Sequence, residues 1–184
     1  MNKNMLNNLS DSIAGKFAGD NYTVKGDILS FTVNSSEVFN VIDYLYNNEG
    51  YRHLSMMSYS DWPEKDMIKL YYIVYSYTDQ KTVIVATELN REKPEIVTIK
   101  DIFEQAETYE VEFNEMMGIV FNGNSRMGEE FILEGWQGPP PMRRDFDTAQ
   151  YADEEFMFRP GREDGVDVRE HIREITGETG GFDD

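Results

Sequence analysis

The sequence predicts an α+β fold, with helices packed on a mainly antiparallel sheet and followed by an extended C-terminal arm. Three observations support this prediction. Apolar residues recur at helical spacing in three segments, two runs rich in β-branched and aromatic residues flank a short turn, and prolines and acidic residues dominate towards the C-terminus.

The first predicted helix has one apolar face, made by Leu6, Leu9, Ile13 and Phe17. Gly19 is predicted to end this helix, because glycine readily adopts the positive φ of a helix exit. Residues 21–33 are then predicted to form two short strands joined at Gly26-Asp27, a β-hairpin.

A second helix follows a cluster of capping residues at 34–37. Its buried face is predicted to contain Val38, Phe39, Val41, Ile42 and Leu45, and Gly50 to follow its end. Residues 67–78 and 82–89 are predicted strands joined through Asp79-Gln80, and 51–62 a third strand beside them. The tight turn makes the first two antiparallel.

A third helix is predicted from Ile99 to Met117, with Thr98 at its start and Gly118 after its end. Residues 119–121 are predicted to form a short strand. Asn122-Gly123 is the strongest two-residue hairpin pattern in the chain and predicts a turn there.

The domain boundary is predicted between residues 135 and 136. Residues 1–135 are the α+β core, and residues 136–184 are an arm and acidic tail that wraps a partner subunit. Pro139, Pro140 and Pro141 impose polyproline II backbone, which makes no internal hydrogen bonds and so favours contact with another surface. The tail cannot bury enough apolar surface to fold alone, and its Phe156 and Phe158 are spaced as anchors.

Composition excludes several classes of function. The formal charge of −18 argues against nucleic-acid and anionic membrane partners, which require clustered Lys and Arg. No apolar run is long enough to span a bilayer, and the N-terminus lacks the pattern of a signal peptide, so we expect a soluble, cytoplasmic chain without direct membrane insertion. The absence of cysteine excludes iron–sulfur ligation by this chain, and His53 and His171 alone make a metal site improbable.

Residues 107–146 resemble the C-subunit family of NADH–quinone oxidoreductase, respiratory complex I. The same family supplies small subunits to membrane-bound energy-converting NiFe hydrogenases. The residues that carry the resemblance are Ala106, Glu110, Glu112, Met116, Met117, Gly118, Ile119, Val120, Phe121, Gly123, Trp136, Gln137, Gly138, Pro141, Met142, Arg143, Arg144, Asp145 and Phe146. Val111, Asn124-Ser125, Gly128-Glu129 and the extra proline depart from the usual family pattern, and favour the hydrogenase-type branch.

The resemblance implies a non-catalytic assembly subunit of a complex-I-like, ferredoxin-linked membrane oxidoreductase. Its partners would be the large catalytic subunit, of NiFe or quinone-site type, and the small iron–sulfur subunit, with a membrane arm in the same complex. It implies no cofactor in this chain, whereas the partners hold iron–sulfur clusters and, in the hydrogenase branch, a NiFe centre. The implied location is the cytoplasmic side, peripheral to the membrane.

The partner-binding residues are predicted to be Trp136, Pro139, Pro140, Pro141, Arg143, Arg144, Asp145, Phe156 and Phe158. Arg143 and Arg144 are expected to bind carboxylates of the large subunit, and Asp145 to cap or pair locally. Trp136 is either an interface anchor or a core residue beneath the prolines. For Glu110 and Glu112, a structural salt bridge or a solvated helix face is favoured over a proton relay.

Three alternatives remain open from the sequence. One is the C subunit of an NADH- or F420H2-quinone or phenazine oxidoreductase. The second is a free-standing acidic protein-binding module that uses its tail. The third is a carboxylate-dependent hydrolase using Glu110, Glu112 or Asp145, which suffers from the lack of a nucleophile motif, a phosphate loop or metal-ligand spacing.

Overall fold

A five-stranded sheet forms the centre of the fold in the computed structural model, which describes residues 3–155. The helices are α1 (Lys3–Lys16), α2 (Val38–Asn47), α3 (Ala106–Met117) and α4 (Thr148–Glu155). The strands are β1 (Gly19–Lys25), β2 (Ile28–Val33), β3 (His53–Trp62), β4 (Met67–Ser76), β5 (Lys81–Asn90), β6 (Glu95–Val97) and β7 (Val120–Asn122). The chain divides into two units between Phe146 and Asp147, and α4 belongs to the second.

The strand order of the main sheet is β1-β2-β5-β4-β3. The pairs β1–β2, β5–β4 and β4–β3 are antiparallel, and β2–β5 is parallel. Strands β6 and β7 form a separate parallel pair. The predicted α+β fold with a mainly antiparallel sheet is therefore confirmed, as are the hairpin at Gly26 and the strands before and after Asp79-Gln80.

Helices α1 to α3 bury their apolar faces against one face of the sheet. Alternation along β4 places Ile68, Leu70, Tyr72 and Val74 on this inner face, where they are almost fully buried. Leu6 and Ile13 of α1, Ile42 of α2 and Phe113 of α3 join the same hydrophobic cluster. The inner face is therefore the core of the domain.

Three local predictions are wrong. Gly19 opens β1 instead of ending α1, and a Cβ there would lie 2.9 Å from the carbonyl oxygen of Thr32. Asn34 makes no side-chain cap, and residues 35–37 form a short 3₁₀ turn before α2. The third helix begins only at Ala106, because residues 99–103 make tight turns in which the amides of Ile102 and Phe103 both donate to Ile99.

The predicted hairpin at Asn122-Gly123 is also wrong. Strand β7 pairs in parallel with the earlier β6, and no strand returns along it between Gly123 and residue 155. Gly123 has a φ of +99° and passes so close to Thr98 that a Cβ would lie 2.9 Å from its methyl carbon. Glycine is required here for a close approach of two segments.

Candidate partner-binding surface

The C-terminal end of α3 holds residues 131–146, which we call the arm segment. The carboxylate of Glu115 accepts hydrogen bonds from the backbone amides of Phe131, Ile132 and Leu133, at 2.8, 2.9 and 3.1 Å. Burial alone would raise the pKa of Glu115, but these amide donors lower it overall. A single helix residue thus fixes the backbone at the start of the arm segment.

The prolines fold back over the end of the same helix. Gly118 ends α3 with a φ of +76°, and a Cβ there would lie 3.1 Å from the ring of Pro140. Trp136 is half-buried, donates its indole N–H to the carbonyl of Pro139 at 3.0 Å, and meets the ring of Phe146 edge-on. Trp136 therefore packs within the arm segment, and whether it also anchors a partner stays a prediction.

The next residues bind the exposed carbonyl groups of the α3 terminus. The amide of Met142 donates to the carbonyl of Met116 at 3.1 Å, and Nε of Arg143 donates to that of Met117 at 3.0 Å. The last carbonyls of a helix lack intrahelical partners and carry partial negative charge, so a cation there is favourable. Arg143 thus serves as a side-chain cap for α3.

A cluster of three charged residues ties the arm segment to the sheet, and we call it the Arg91 clamp (Asp61, Arg91 and Asp145). Arg91 follows β5 and binds Asp61 of β3 through two hydrogen bonds, of 2.7 and 3.0 Å. It binds Asp145 through two more, of 2.6 and 3.1 Å. The backbone amide of Arg144 donates to Asp61 at 2.8 Å, which completes the connection.

The clamp holds its carboxylates in the ionised form. Hydrogen bonds from Arg91 are the main reason that the pKa values of Asp61 and Asp145 lie below their ordinary range. The pKa of Arg91 is raised in turn, mainly by Asp61. The Asp61 side chain is 3% exposed and that of Asp145 is 60% exposed, so Asp61 is the member that depends most on Arg91.

Arg143 and Arg144 were predicted to bind a partner subunit. In the structure both residues make contacts within the chain. Arg143 caps α3, and Arg144 forms an exposed ion pair with Glu64 at 3.0 Å. Binding of a partner's carboxylates by these residues stays a prediction. Sequence reasoning missed Asp61 and Arg91, although Asp61 is an acidic residue at an inward position of a predicted strand, a placement that calls for a cation.

A second buried carboxyl, Glu110, joins three segments, and no cation among residues 3–155 is in hydrogen-bond contact with it. We call this the Glu110 junction (Thr98, Glu110 and Asn124). Glu110 is fully buried. It accepts from the hydroxyl of Thr98 at 2.5 Å, the amide of Ile99 at 3.0 Å and the side-chain amide of Asn124 at 2.9 Å. Burial raises its pKa, and these donors only partly offset the increase. The expected salt bridge or solvated helix face is therefore wrong for Glu110.

The remaining residues of the predicted family motif occupy structural positions. Phe121 is fully buried, Glu112 is half-buried on α3 beside Tyr59, and Gly138 is half-buried in the arm segment. Phe156 and Phe158 lie outside the described residues, so their predicted role as anchors stays a prediction.

Apolar side chains of the arm segment remain open to solvent. Ile132 is 62% exposed, Met142 57% and Phe131 39%, and all three lie on backbone that α3 holds in place. Large apolar side chains on fixed backbone are typical of a docking surface. We call these three residues the arm patch.

Within residues 3–155, no cluster of three or more histidine, aspartate or glutamate side chains is placed to hold a metal ion. Every helix in the same range is too short or too polar to cross a lipid bilayer.

Known proteins resemble this chain over most of its length. The family model of the respiratory-chain NADH dehydrogenase 30 kDa subunit matches residues 31–152. The C subunit of the F420H2 dehydrogenase of Methanosarcina mazei is 26% identical over 115 residues, which are 62% of this chain and 73% of that protein. The C/D subunit of the NADH-quinone oxidoreductase of Phocaeicola vulgatus is 31% identical over 112 residues, which are 61% of this chain but only 20% of that protein.

One solved structure has the same fold over nearly the whole domain. It is a chain of the membrane-bound sulfane sulfur reductase, an archaeal respiratory membrane complex, with a TM-score of 0.72 and 23% identity. The match covers 85% of this chain and 93% of that one.

Proposed function

The chain belongs to the family of the respiratory-chain NADH dehydrogenase 30 kDa subunit, and from this premise we propose that it is an assembly subunit of a complex-I-like membrane oxidoreductase. In this proposal it catalyses no reaction by itself. It docks on the large catalytic subunit through the arm segment, and the partner subunits contain the redox centres. It lies on the cytoplasmic side of the membrane and is attached there through the complex.

The observation that carries the proposal is the combination of the family match with the arm patch. The matched residues 31–152 include the whole arm segment. Its backbone is held by Glu115, Arg143 and the Arg91 clamp, while Phe131, Ile132 and Met142 face solvent. A preorganised apolar surface loses little conformational entropy on binding, which favours a stable protein contact.

The identity of the partner is inferred from the length of the relatives. This chain covers 20% of the Phocaeicola vulgatus protein, whose C/D name combines two subunits in one polypeptide. Segments fused in one chain are constrained to be neighbours. We infer that a separate large subunit of the D type is the neighbour of this chain.

Two branches of the family are compatible with these observations. The departures at Val111, Asn124 and the extra proline favour the hydrogenase-type branch, whose large subunit holds a NiFe centre. The second candidate is a dehydrogenase C subunit, and the 26% identity to the F420H2 dehydrogenase protein favours it. Metal analysis of the purified complex distinguishes them, because only the first branch predicts nickel in stoichiometric amount.

The proposal is tested by native purification of the chain from its own cells with an N-terminal tag. We expect the chain to elute with a large catalytic subunit and a small iron–sulfur subunit, both identified by mass spectrometry. Ile132→Asp together with Met142→Asp should reduce the recovered large subunit about tenfold, since charges introduced into an apolar contact must be desolvated.

A matched control is Met5→Asp, which places the same charge at an exposed methionine of α1. This control should leave recovery unchanged, and all variants should unfold at the wild-type temperature. Isolation of the wild-type chain without oxidoreductase subunits would contradict the proposed function. Full recovery of the large subunit by the double variant would contradict the docking site.

A further inference from the structure

A cavity opens between the C-terminal end of α3 and the start of the arm segment, and we call it the arm cavity. Its volume is about 170 Å³. The residues that line it include Asn114, Glu115, Glu129, Glu130, Leu133 and Trp136. Leu133 directly follows Phe131 and Ile132 of the arm patch, so the arm cavity and the arm patch adjoin along the chain.

Hydrogen bonds hold the walls of the arm cavity in place. Glu115 accepts the backbone amides of residues 131–133, and Asn114 accepts a backbone amide of the opposite wall at 3.1 Å. Oε1 of Glu130 accepts the amide of Gly135 at 3.0 Å. The arm cavity is therefore formed before a partner binds, so that a side chain entering it would meet groups already in position.

The charges at the arm cavity are mainly negative. Three carboxylates line it, those of Glu115, Glu129 and Glu130. Two arginines lie on neighbouring segments but do not line it: Nε of Arg126 donates to Oε2 of Glu129 at 2.7 Å, and Arg143 caps α3. The second oxygens of Glu129 and Glu130 are not used in these contacts, so both carboxylates can accept further donors.

Trp136 adds an aromatic wall, and its indole N–H is fixed on the carbonyl of Pro139. A cation is attracted to an indole ring, and a guanidinium can also donate to two carboxylates at once. The arm cavity is smaller than the roughly 300–1,000 Å³ of small-molecule sites. Within residues 3–155, no three histidine, aspartate or glutamate side chains are placed to hold a metal ion. The chemistry of the walls therefore suits the end of one cationic side chain.

We infer that the arm cavity binds one basic side chain of the large catalytic subunit, with arginine the best fit, when that subunit covers the arm patch. This inference rests on the proposed function, because it names a contact within the same docking site. In this arrangement the arm patch supplies apolar area, and the ion pair fixes the register and excludes partners that lack the basic residue. Trp136 then forms the wall of a pocket that receives an anchor of the partner.

The inference is tested with Glu129→Gln and Glu130→Gln combined, which remove two charges and keep the side-chain volume. In the natively purified complex, we expect recovery of the large subunit to fall about tenfold, because its basic side chain would then be buried without a counter-charge. Thermal unfolding of the isolated variant should match the wild type, since both glutamates are exposed and a glutamine at position 130 still accepts the amide of Gly135.

A matched control is Asp101→Asn with Glu104→Gln, which removes two exposed charges from the turns before α3. This control should retain the large subunit. Salt gives a readout that a purely structural role would not change. Because salt screens ion pairs, recovery of the large subunit should fall more steeply with salt for the wild type than for the double variant.

A photo-crosslinking amino acid at Leu133 identifies the occupant. We expect it to attach to the large subunit beside an arginine or lysine. Replacement of that residue by alanine should lower recovery as much as the double variant does, and the two changes combined should cause little further loss. Full recovery by the double variant, crosslinks confined to the chain itself, crosslinks to a partner segment without a basic residue, or additive losses would overturn the inference.

These failures are distinguishable from failure of the proposed function. If the wild-type chain purifies without a large catalytic subunit, the proposed function fails and this inference fails with it. If Ile132→Asp with Met142→Asp loses the large subunit while Glu129→Gln with Glu130→Gln retains it, only this inference fails.

Discussion

Asp61 and Glu110 are both buried carboxyl groups, yet the protein stabilises them in opposite ways. Asp61 is paired with the guanidinium of Arg91 and accepts the amide of Arg144. Glu110 has no cation in hydrogen-bond contact among the described residues and accepts from Thr98, Ile99 and Asn124. The pKa of Asp61 is lowered, mainly by Arg91, and that of Glu110 is raised, mainly by burial.

The two carboxyl groups therefore stabilise different parts of the molecule. The Glu110 junction ties α3 to the segments after β6 and β7, and all of its members lie inside the core domain. The Arg91 clamp ties the arm segment to the edge of the sheet, and Asp145 on its outer side is exposed. We therefore expect substitutions in the Glu110 junction to destabilise the domain. Substitutions in the Arg91 clamp should destabilise it less and should also release the arm segment.

Glu110→Ala should have the largest effect. It leaves the buried donors of Thr98, Ile99 and Asn124 without an acceptor and opens a cavity, which together should lower the free energy of unfolding by about 4 kcal/mol. Urea unfolding monitored by circular dichroism measures this loss. Glu110→Gln keeps the volume and one acceptor oxygen and should cost less than half as much. Equal losses in the two variants would contradict this expectation, because the volume and the acceptor oxygen that glutamine retains would then contribute nothing to stability.

Arg91→Ala should rank second. It strands the buried carboxylate of Asp61, and breaking such a pair costs about 3 kcal/mol. It should also raise amide hydrogen exchange in residues 142–146, which the clamp holds, more than exchange in β4. Arg126→Ala removes an exposed arginine paired with Glu129 and serves as the control, with no measurable effect expected. Unchanged exchange at residues 142–146 would contradict the assigned role of the clamp.

The sequence was sufficient to predict elements that depend on local patterns. The apolar face of α1 and the strict alternation in β4 are set by residues within one element, so periodicity finds them. The same holds for the hairpin at Gly26, where the turn lies between strands that pair with each other.

The two carboxyl sites could not be predicted, because their partners are distant in sequence. Arg91 is 30 residues from Asp61 and 54 from Asp145, and Asn124 is 14 residues from Glu110. The hairpin predicted at Asn122-Gly123 is wrong for a related reason. Strand β7 pairs with β6, which precedes it in the chain, and not with a strand that follows the turn. Local residue patterns do not encode such pairings, although inward placement of Asp61 in an apolar strand was a usable indication.

The smallest expected effect is a difference in pH dependence, and it separates the two carboxyls most directly. The raised pKa of Glu110 means that the folded state binds its proton more tightly than the unfolded state does. The contribution of Glu110 to stability is fully present below a pH of about 4.5, the ordinary pKa of a glutamate. This contribution is lost as the pH rises through the pKa that Glu110 has in the folded state. The contribution of Asp61 depends on pH in the opposite direction. It is present above pH 3.8, the ordinary pKa of an aspartate, and is lost as the pH falls through the lowered pKa of the folded state.

Urea unfolding between pH 4 and pH 8 therefore distinguishes the two sites when each variant is compared with the wild type. The stability advantage of the wild type over Glu110→Gln should shrink as the pH rises, because only the wild type must bury an ionised carboxylate in the core. Its advantage over Arg91→Ala should not shrink as the pH rises, because Asp61 stays ionised and paired in the wild type. Glu112→Gln removes the same charge two residues along α3 and controls for net charge. The difference in unfolding free energy between the wild type and Glu110→Gln is the decisive quantity. If this difference did not vary with pH, the hydrogen bonds from Thr98, Ile99 and Asn124 would have to offset the effect of burial on the pKa of Glu110 in full. The two carboxyls would then differ only in their hydrogen-bond partners.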